Sequence, residues 1–259
     1  SEFEHALHTA IAQQQLHLYF QVQGDEHNQP VGAEALLRWI HPEMGMIFPA
    51  QFIPMAEETG LILPIGQWVL ETACKQIKLW EASPQTRDLQ LAVNVSARQF
   101  HQPDFVARVD KLIEQTCINP SRLKLELTES MVLADVADTV DKMHALKQLG
   151  VRFSMDDFGT GYSSLSYLTQ LPLDQLKVDQ SFVRNIGIKS TDVVLVQTII
   201  GMANNLHMEA IAEGVETQAQ RDFLEHAGCM RYQGYLFGKP EPLERFADSL
   251  SRDFLTVQS

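Results

Sequence analysis

The chain has 259 residues, 45% of them hydrophobic and 20% charged, and its formal net charge is −13 at pH 7. A chain of this length forms one large domain or two small ones, and its core needs no disulfide bonds. The acidic balance repels nucleic acids and anionic membranes, so it argues against a DNA or RNA polymer as partner. A ligand that carries phosphate would therefore need cations in its site.

The sequence shows no run of about 18 apolar residues and no signal peptide. We therefore expect no membrane contact by this domain and a cytoplasmic location, either free or as the cytoplasmic part of a larger membrane-anchored protein. The odd number of cysteines, Cys74, Cys117 and Cys229, and the lack of a C-x-x-C pair indicate buried free thiols in a reducing compartment. We interpret residues 1–3 as a cloning remnant and the chain as a piece of a larger multidomain protein.

Short apolar runs alternate with amphipathic stretches along the chain, and no linker separates them, so we predict a single domain, residues 1–259. Strands are predicted at residues 16–21, 31–37, 89–95, 123–127, 151–155, 175–178, 209–212 and 230–233. Helices are predicted at residues 49–58, 65–81, 104–116, 136–149, 163–171, 192–206, 217–227 and 242–254. Eight strand–helix units in one domain favour an α/β fold of the (β/α)8 barrel type. The alternative is an open doubly wound sheet, which usually carries its ligand on a glycine-rich first turn that this chain lacks.

Seven of the apolar runs carry a carboxylate, amide or lysine side chain at or near their end. These residues are Glu34, Asn94, Glu126, Asp156 with Asp157, Lys177 with Asp179, Glu213 with Glu216, and Gln233. Buried carboxylates are costly unless cations pair with them. Because barrels place functional residues at the carboxyl ends of their strands, the pattern predicts one polar centre that binds metal. Glu34 fits this rule least well, since it falls inside its strand.

Carboxylate and amide oxygens suit Mg²⁺ or Mn²⁺ better than Zn²⁺. Taken singly, several candidates have simpler interpretations. Asn94 could be a hydrogen-bonded core residue, Lys177 the partner of an adjacent carboxylate, and Arg38 either a surface residue or a bidentate phosphate ligand. Gln21 and Gln233 could contact a base or hold a loop.

The Asp-Asp-Phe-Gly-Thr-Gly segment that begins at Asp156 has two simpler interpretations. By itself it predicts a turn with a solvated carboxylate pair. Asp-Phe-Gly also occurs in kinases, but no glycine-rich nucleotide loop or His-Arg-Asp motif accompanies it here.

The chain resembles the EAL domain, the cyclic-di-GMP-specific phosphodiesterase of bacterial signalling. Glu34-Ala35-Leu36 is the signature tripeptide, and it stands within Glu-Ala-Leu-Leu-Arg-Trp-Ile-His-Pro. The likeness continues through Leu-Glu-Leu-Thr-Glu-Ser from Leu125, through the Asp156 segment, and through Ala-Glu-Gly-Val-Glu-Thr from Ala212. It covers nearly the whole chain.

This resemblance implies a TIM-like barrel whose first strand is antiparallel to the others. It also implies hydrolysis of one phosphodiester bond of cyclic-di-GMP to linear 5′-pGpG, by a water activated by two Mg²⁺ or Mn²⁺ ions per site. The matching positions divide into groups. The first metal would be held by Glu34, Asn94, Glu126 and Asp156, and the second by Asp156, Asp157 and Glu213. The catalytic candidates are Lys177, Glu213 and Asp157, and the supporting glutamates are Glu216 and Glu129, which braces the loop after Asp157. The substrate-side residues are Gln21, Leu36, Arg38, Asp179 and Gln233.

Two other functions remain open at this point. Some EAL-like domains are degenerate and act as cyclic-di-GMP receptors or protein-binding modules, but they typically lack part of the ligand set, whereas every position is filled here. A barrel glycosidase needs one carboxylate pair and has no use for the Asn, Lys and adjacent Asp residues.

The resemblance also implies a homodimer formed through the segment 159–171.

Overall fold

The computed structural model describes residues 1–161 and 165–250. Its strands are β1 Leu16–Asp25, β2 Pro30–His41, β3 Gly45–Ile47, β4 Gln90–Asn94, β5 Leu123–Thr128, β6 Arg152–Asp156, β7 Gln175–Val178, β8 Glu209–Ala212, β9 Arg231–Gln233 and β10 Glu241–Pro242. Its α-helices are α1 Glu2–Ala10, α2 Pro49–Thr59, α3 Ile62–Trp80, α4 Ala97–Phe100, α5 Phe105–Thr116, α6 Glu129–Ala134, α7 Val136–Leu149, α8 Leu165–Leu168, α9 Gln180–Val183, α10 Ser190–Asn205, α11 Gln218–His226 and α12 Leu243–Ser249.

Eight of the strands close into a barrel in the order β1, β2, β4, β5, β6, β7, β8, β9 and back to β1. β1 is antiparallel to both of its barrel neighbours, β2 and β9. Every other neighbouring pair in the ring is parallel. The predicted (β/α)8 TIM-like barrel with an antiparallel first strand is confirmed. β3 and β10 extend the sheet outside the ring, on β2 and β1.

The alternation of side chains along β1 shows how the barrel wall separates two environments. Leu18, Phe20 and Val22 are buried on one face, and the rings of Phe20 and Phe246 of α12 lie 5.6 Å apart on that side. Gln21 and Gln23 occupy the opposite face, which is the barrel interior. Apolar packing therefore lies between the strands and the helices, while the interior receives polar groups.

The barrel interior is polar on the other strands too. The inward-facing polar residues that are less than 9% exposed include Glu34, Lys124, Glu126, Ser154, Gln175, Lys177 and Gln233. Buried polar groups require hydrogen-bond partners. The interior is thus held by side-chain contacts across strands, and these contacts set the geometry of the site.

Several elements differ from the sequence-based expectations. α1 was not predicted, although Ser1 and Glu4 form a capping box and Leu7 and Ala10 are buried. The short helices α4, α6 and α9 were also missed, because four to six residues give no readable periodicity. The helices predicted at 163–171 and 242–254 correspond to α8 and α12, and residues 163–164 and 251–254 lie outside the described residues.

The prediction of buried thiols is confirmed for Cys74 and Cys229 and is wrong for Cys117. Cys117 ends α5 in the left-handed conformation, with φ of 53°, at a surface turn. Its position at a helix end outweighs the usual preference of cysteine for the core. None of the helices in the described part of the chain is both long enough and apolar enough to span a bilayer.

Candidate active site

The ammonium of Lys177 stands at the centre of the barrel, surrounded by carboxylates from four different strands or strand ends. Its Nζ lies 2.7 Å from Glu126 Oε2 and 2.5 Å from Glu213 Oε1. Glu34 Oε2 is 3.6 Å away and Asp156 Oδ2 is 4.0 Å away. The lysine side chain is fully buried. One ammonium therefore faces four carboxyl groups, and the described part of the chain places no second cation of its own within 4.0 Å of them.

Glu34 is oriented by two amides. Asn94 Nδ2 donates to Glu34 Oε1 at 2.8 Å, and Gln233 Nε2 donates to Glu34 Oε2 at 2.6 Å. Gln233 also donates to Gln21 Oε1 at 3.0 Å. Three predicted residues thus meet around the signature glutamate.

The register of β2 explains why Glu34 appeared to be misplaced inside its strand. β2 pairs with β4 only through Gly32 to Ala35, and the rest of the strand continues past the barrel to pair with β1 and β3. Glu34 therefore lies at the end of the segment that belongs to the ring with β4. It obeys the strand-end rule once the pairing is known.

Glu126 has one oxygen that no protein group satisfies. Its side chain is fully buried, and Oε2 accepts from Lys177. Oε1 is buried and has no hydrogen-bond partner among the described residues. An unpaired buried carboxylate oxygen is costly, so it is rarely left without a ligand. This orphaned atom, the acidic excess and the all-oxygen donor set together fit a divalent cation.

The Asp156-Asp157 pair divides at the end of β6. Asp156 is the last residue of the strand, and its Oδ1 accepts from the backbone N–H of Asp157 at 2.9 Å. Asp157 has φ of 57°, in the left-handed region, and its side chain is exposed. Asp156, by contrast, is partly buried and lies 4.0 Å from Lys177 Nζ.

A second acidic group lies beside Lys177. Asp156, Asp179 and Glu213 each offer one oxygen, and these oxygens lie within 4.8 Å of one another. Asp179 was predicted as a substrate-side residue, and the structure brings it into this carboxylate group. The available signal was its position directly after β7, the same strand-end position that identified Asp156.

The buried carboxylates differ in their affinity for protons. Burial raises the pKa of Glu126 well above its usual range, and the charge of Glu34 adds to this effect. Burial, reinforced by Asp156, also raises the pKa of Glu213 to about 8, although Lys177 opposes the shift. Burial acts on Glu34 in the same direction, but Lys177 and the two donated amide hydrogen bonds outweigh it, and its pKa is lowered.

Lys177 and Asp157 show the complementary effects. Burial alone would lower the pKa of Lys177, yet Glu126 and Glu213 outweigh it and hold that pKa well above the usual value. The lysine therefore stays charged. Burial and the charge of Asp156 raise the pKa of Asp157 to about 6.

Glu129 connects the end of β5 to the loop after Asp157. It is 4% exposed, its Oε2 accepts from the backbone N–H of Gly159 at 3.2 Å, and its Oε1 accepts from the hydroxyl of Tyr167. Gly159 has φ of 83°, which favours glycine. These contacts hold both sides of the loop.

Glu216, the other predicted supporting glutamate, is exposed before α11. Among the described residues no hydrogen bond or ion pair joins it to the carboxylate group.

The predicted substrate-side residues of β2 lie on its inner face, nearer the mouth than Glu34. Leu36 and Arg38 follow at spacings of two, and the guanidinium of Arg38 lies 5.7 Å from the ring centre of Tyr19 and 5.1 Å from that of Phe48. Phe48 is 50% exposed. Sequence reasoning missed these aromatic rings, because only the pairing of β2 with β1 and β3 places them beside Arg38.

A comparison with known proteins gives the same assignment. The family model described as the EAL domain matches residues 4–240. The chain is 43% identical over 248 residues to the bifunctional diguanylate cyclase/cyclic di-GMP phosphodiesterase MucR of Pseudomonas aeruginosa, with 95% of this chain and 36% of MucR covered. It is 39% identical over 254 residues to the cyclic di-GMP phosphodiesterase NbdA of the same organism, with 96% of this chain and 32% of NbdA covered.

Among solved structures, the PaMucR phosphodiesterase in complex with c-di-GMP superimposes with a TM-score of 0.92 at 42% identity, covering 95% of this chain and 100% of that one. The chain spans about a third of the length of the two curated relatives. The family match, the relatives and the barrel geometry agree over nearly all of the sequence. The chain belongs to the EAL domain family.

Proposed function

We propose that this domain hydrolyses one phosphodiester bond of cyclic-di-GMP to give linear 5′-pGpG. The observation that carries the proposal is the convergence of Glu34, Glu126, Asp156 and Glu213 on Lys177, with one buried oxygen of Glu126 left without a partner. MucR and NbdA are named as cyclic di-GMP phosphodiesterases, and the PaMucR structure is a complex with c-di-GMP. These names support the same substrate here.

We propose that the donor set holds two divalent cations, Mg²⁺ or Mn²⁺. Glu34, Asn94, Glu126 and Asp156 would hold one ion, and Asp156, Asp157 and Glu213 the other, with Asp179 adjacent to the second group. When bound, such ions supply Lewis-acid activation of water and positive charge for the phosphoryl oxygens. They would also satisfy Glu126 Oε1, which is buried without a protein partner.

Three side chains of this chain are suited to charge and proton handling. Lys177 remains protonated, so it offers a fixed positive charge toward an oxygen on which negative charge develops. It cannot take a proton. Glu213 and Asp157 have pKa values raised to about 8 and about 6, so they are the two groups suited to exchange a proton near neutral pH.

Other residues orient rather than react. Asn94 and Gln233 fix the carboxylate of Glu34 through hydrogen bonds to its two oxygens. Arg38 presents a planar guanidinium at the mouth, between Tyr19 and Phe48, where it can contact a phosphate in bidentate fashion or stack with a base. We propose that the exposed ring of Phe48 supplies part of the surface against which a guanine lies.

The function is tested by incubating the purified domain with cyclic-di-GMP, with Mg²⁺ and separately with chelator, and separating the products by chromatography. We expect pGpG to form with Mg²⁺ and not with chelator. Binding without cleavage would reassign the domain as a receptor. Turnover that persists after complete metal removal would favour acid–base hydrolysis of the glycosidase type.

We further propose that the domain is cytoplasmic, that it is one unit of a larger protein, and that it forms a homodimer through the segment 159–171. Leu165, which lies within this segment on α8, is 60% exposed, and this supports an apolar interface there. Light scattering on the wild type and on Leu165→Glu tests the dimer. A wild type that is monomeric at high concentration yet fully active would contradict it.

A further inference from the structure

A second polar cavity lies at the opposite mouth of the barrel. Its volume is about 270 Å³, and its lining includes the first residues of three strands, Gln90 of β4, Gln175 of β7 and Glu209 of β8. An adjoining cavity of about 260 Å³ shares these three residues and Lys124 with it. The carboxylate site is at the other ends of the same strands. The two mouths are therefore separate.

Lys124 is the residue that distinguishes this cavity. It is 3% exposed, it lines both cavities, and it lies two residues before Glu126 on the inner face of β5. Within residues 1–161 and 165–250, no hydrogen bond or ion pair ends on its ammonium. The side chain is buried, but its ammonium opens into the cavity, so ordered water or an anion there would balance its charge.

The other charged groups of the cavity are already paired. Arg122 lies 3.2 Å from Asp88 Oδ1, and Arg231 Nε lies 3.2 Å from Glu209 Oε2. Glu209 also accepts from Gln175 Nε2 at 2.8 Å. Each carboxylate in the lining thus has an arginine partner, and the charge of Lys124 is in excess. The lining of the first cavity holds three cationic side chains (Arg122, Lys124 and Arg231) against two carboxylates (Asp88 and Glu209), although the whole chain carries a net charge of −13.

We propose that this cavity binds a small oxyanion of the phosphate class, with Lys124 as its central ligand and Arg122 and Arg231 at its rim. Ammonium and guanidinium groups form strong charge-assisted hydrogen bonds with phosphate oxygens. The cavity has room for an ion of this size together with several waters. The two mouths of the barrel then have opposite preferences, for cations at the carboxylate site and for an anion at this one. The inference does not depend on the proposed phosphodiesterase activity.

The test is calorimetric titration of the metal-free protein with inorganic phosphate, at constant ionic strength in a chloride buffer, with acetate titrated in parallel. We expect saturable binding of one phosphate per chain and weaker binding of acetate. Lys124→Met should weaken phosphate binding roughly tenfold or more, the effect of losing one charge-assisted hydrogen bond. Lys75→Met removes the same charge from an exposed position and should leave the affinity unchanged.

Three results would overturn the proposal. They are the lack of saturable phosphate binding to the wild type, equal binding by Lys124→Met, and an equal loss in Lys75→Met, which would mean a general charge effect.

If Lys124→Met fails to fold, as judged by circular dichroism, Arg122→Gln is the variant that tests the site. We expect this rim variant to weaken binding several-fold, and an unchanged affinity would overturn the assignment. Amide chemical shifts of Gln90 and Gln175 on addition of phosphate locate the site independently.

Discussion

Lys177 Nζ and Glu126 Oε2 lie 2.7 Å apart in the middle of the barrel, and both side chains are fully buried. A buried ion pair stabilises a fold only when its remaining donors and acceptors are satisfied. Here Glu126 Oε1 has no partner among the described residues, and Glu213, Glu34 and Asp156 crowd the same ammonium. The carboxyl groups around this pair therefore outnumber the positive charges that the protein places beside them.

Replacing this lysine should destabilise the metal-free protein strongly. We expect Lys177→Met to lower the free energy of unfolding by about 3–5 kcal/mol in chelator, because it leaves buried carboxylates uncompensated. Added Mg²⁺ should recover part of the loss, since a bound cation neutralises the same groups. Urea unfolding with and without Mg²⁺ measures both effects, and the exposed Lys75→Met is the control. A loss that Mg²⁺ leaves unchanged would separate the lysine from the metal site.

The signature glutamate provides a test of the ligand set. Glu34→Gln keeps the size of the side chain and removes its charge, so we expect turnover at saturating Mg²⁺ to fall by roughly 100-fold or more. The exposed Glu58→Gln should be neutral. Steady-state kinetics with cyclic-di-GMP, together with Mg²⁺ titration of both variants, give the comparison. Unimpaired turnover by Glu34→Gln would remove Glu34 from the ligands.

The raised pKa of Glu213, about 8, makes metal binding depend on pH. The metal-free site holds this proton below that pH, and a metal ligand must be ionised, so Mg²⁺ binding at pH 7 should release the proton of Glu213 in addition to any proton that Glu126, whose pKa is also raised, gives up. The apparent affinity should fall as pH decreases below 8. Calorimetry in buffers of different ionisation enthalpy counts the proton. Glu213→Gln should lower the release by about one proton per chain, and a wild type that releases none near pH 7 would contradict the assignment.

The same shift affects the stability of the metal-free protein. The unfolded chain loses this proton near 4.5, whereas the folded protein keeps it to about 8. Between these values the folded state binds more protons than the unfolded state does. The contribution of Glu213 to the free energy of unfolding therefore decreases as pH rises through this window. Glu213→Gln should flatten the profile in urea unfolding, and an unchanged slope would count against the shift.

The contact between Glu129 and Gly159 predicts a local effect on the loop after Asp157. Glu129→Ala removes the acceptor at 3.2 Å from the Gly159 N–H, so we expect amide exchange there to accelerate roughly tenfold. The exposed Glu114→Ala is the matched control. Hydrogen exchange resolved at Gly159 gives the readout. Equal exchange in the two variants would show that Glu129 does not brace the loop.

The three thiols should differ in reactivity. Burial raises the pKa of Cys74 and of Cys229 to about 12, and both are shielded from solvent, whereas Cys117 is exposed. A thiol reagent at neutral pH should therefore label one cysteine per native chain quickly. Cys117→Ser should abolish the fast phase. Two or three fast thiols in the native protein would contradict the burial of the other two.

The sequence by itself predicted the barrel and the kind of chemistry in its centre. The apolar runs and the amphipathic stretches indicate strands and helices, because each kind of segment buries its apolar residues with its own periodicity. Eight alternations of the two favour parallel strands joined by helical crossovers. Carboxylates at or near the ends of those runs indicated a cation site, because isolated anions are costly there. The family likeness added the antiparallel β1, since an apolar run has no intrinsic direction relative to its neighbours.

The tertiary structure decided the distances and the partners. Only the register of β2 shows that Glu34 lies level with the barrel ends, and only the closure of the barrel brings Asp179, which follows β7, beside Asp156 and Glu213. The position of Lys177 among four carboxylates, and that of Lys124 in the opposite cavity, depend on strands far apart in the chain. A sequence fixes which residue types face inward, because side chains alternate along a strand, but the closure of the barrel determines which of them meet.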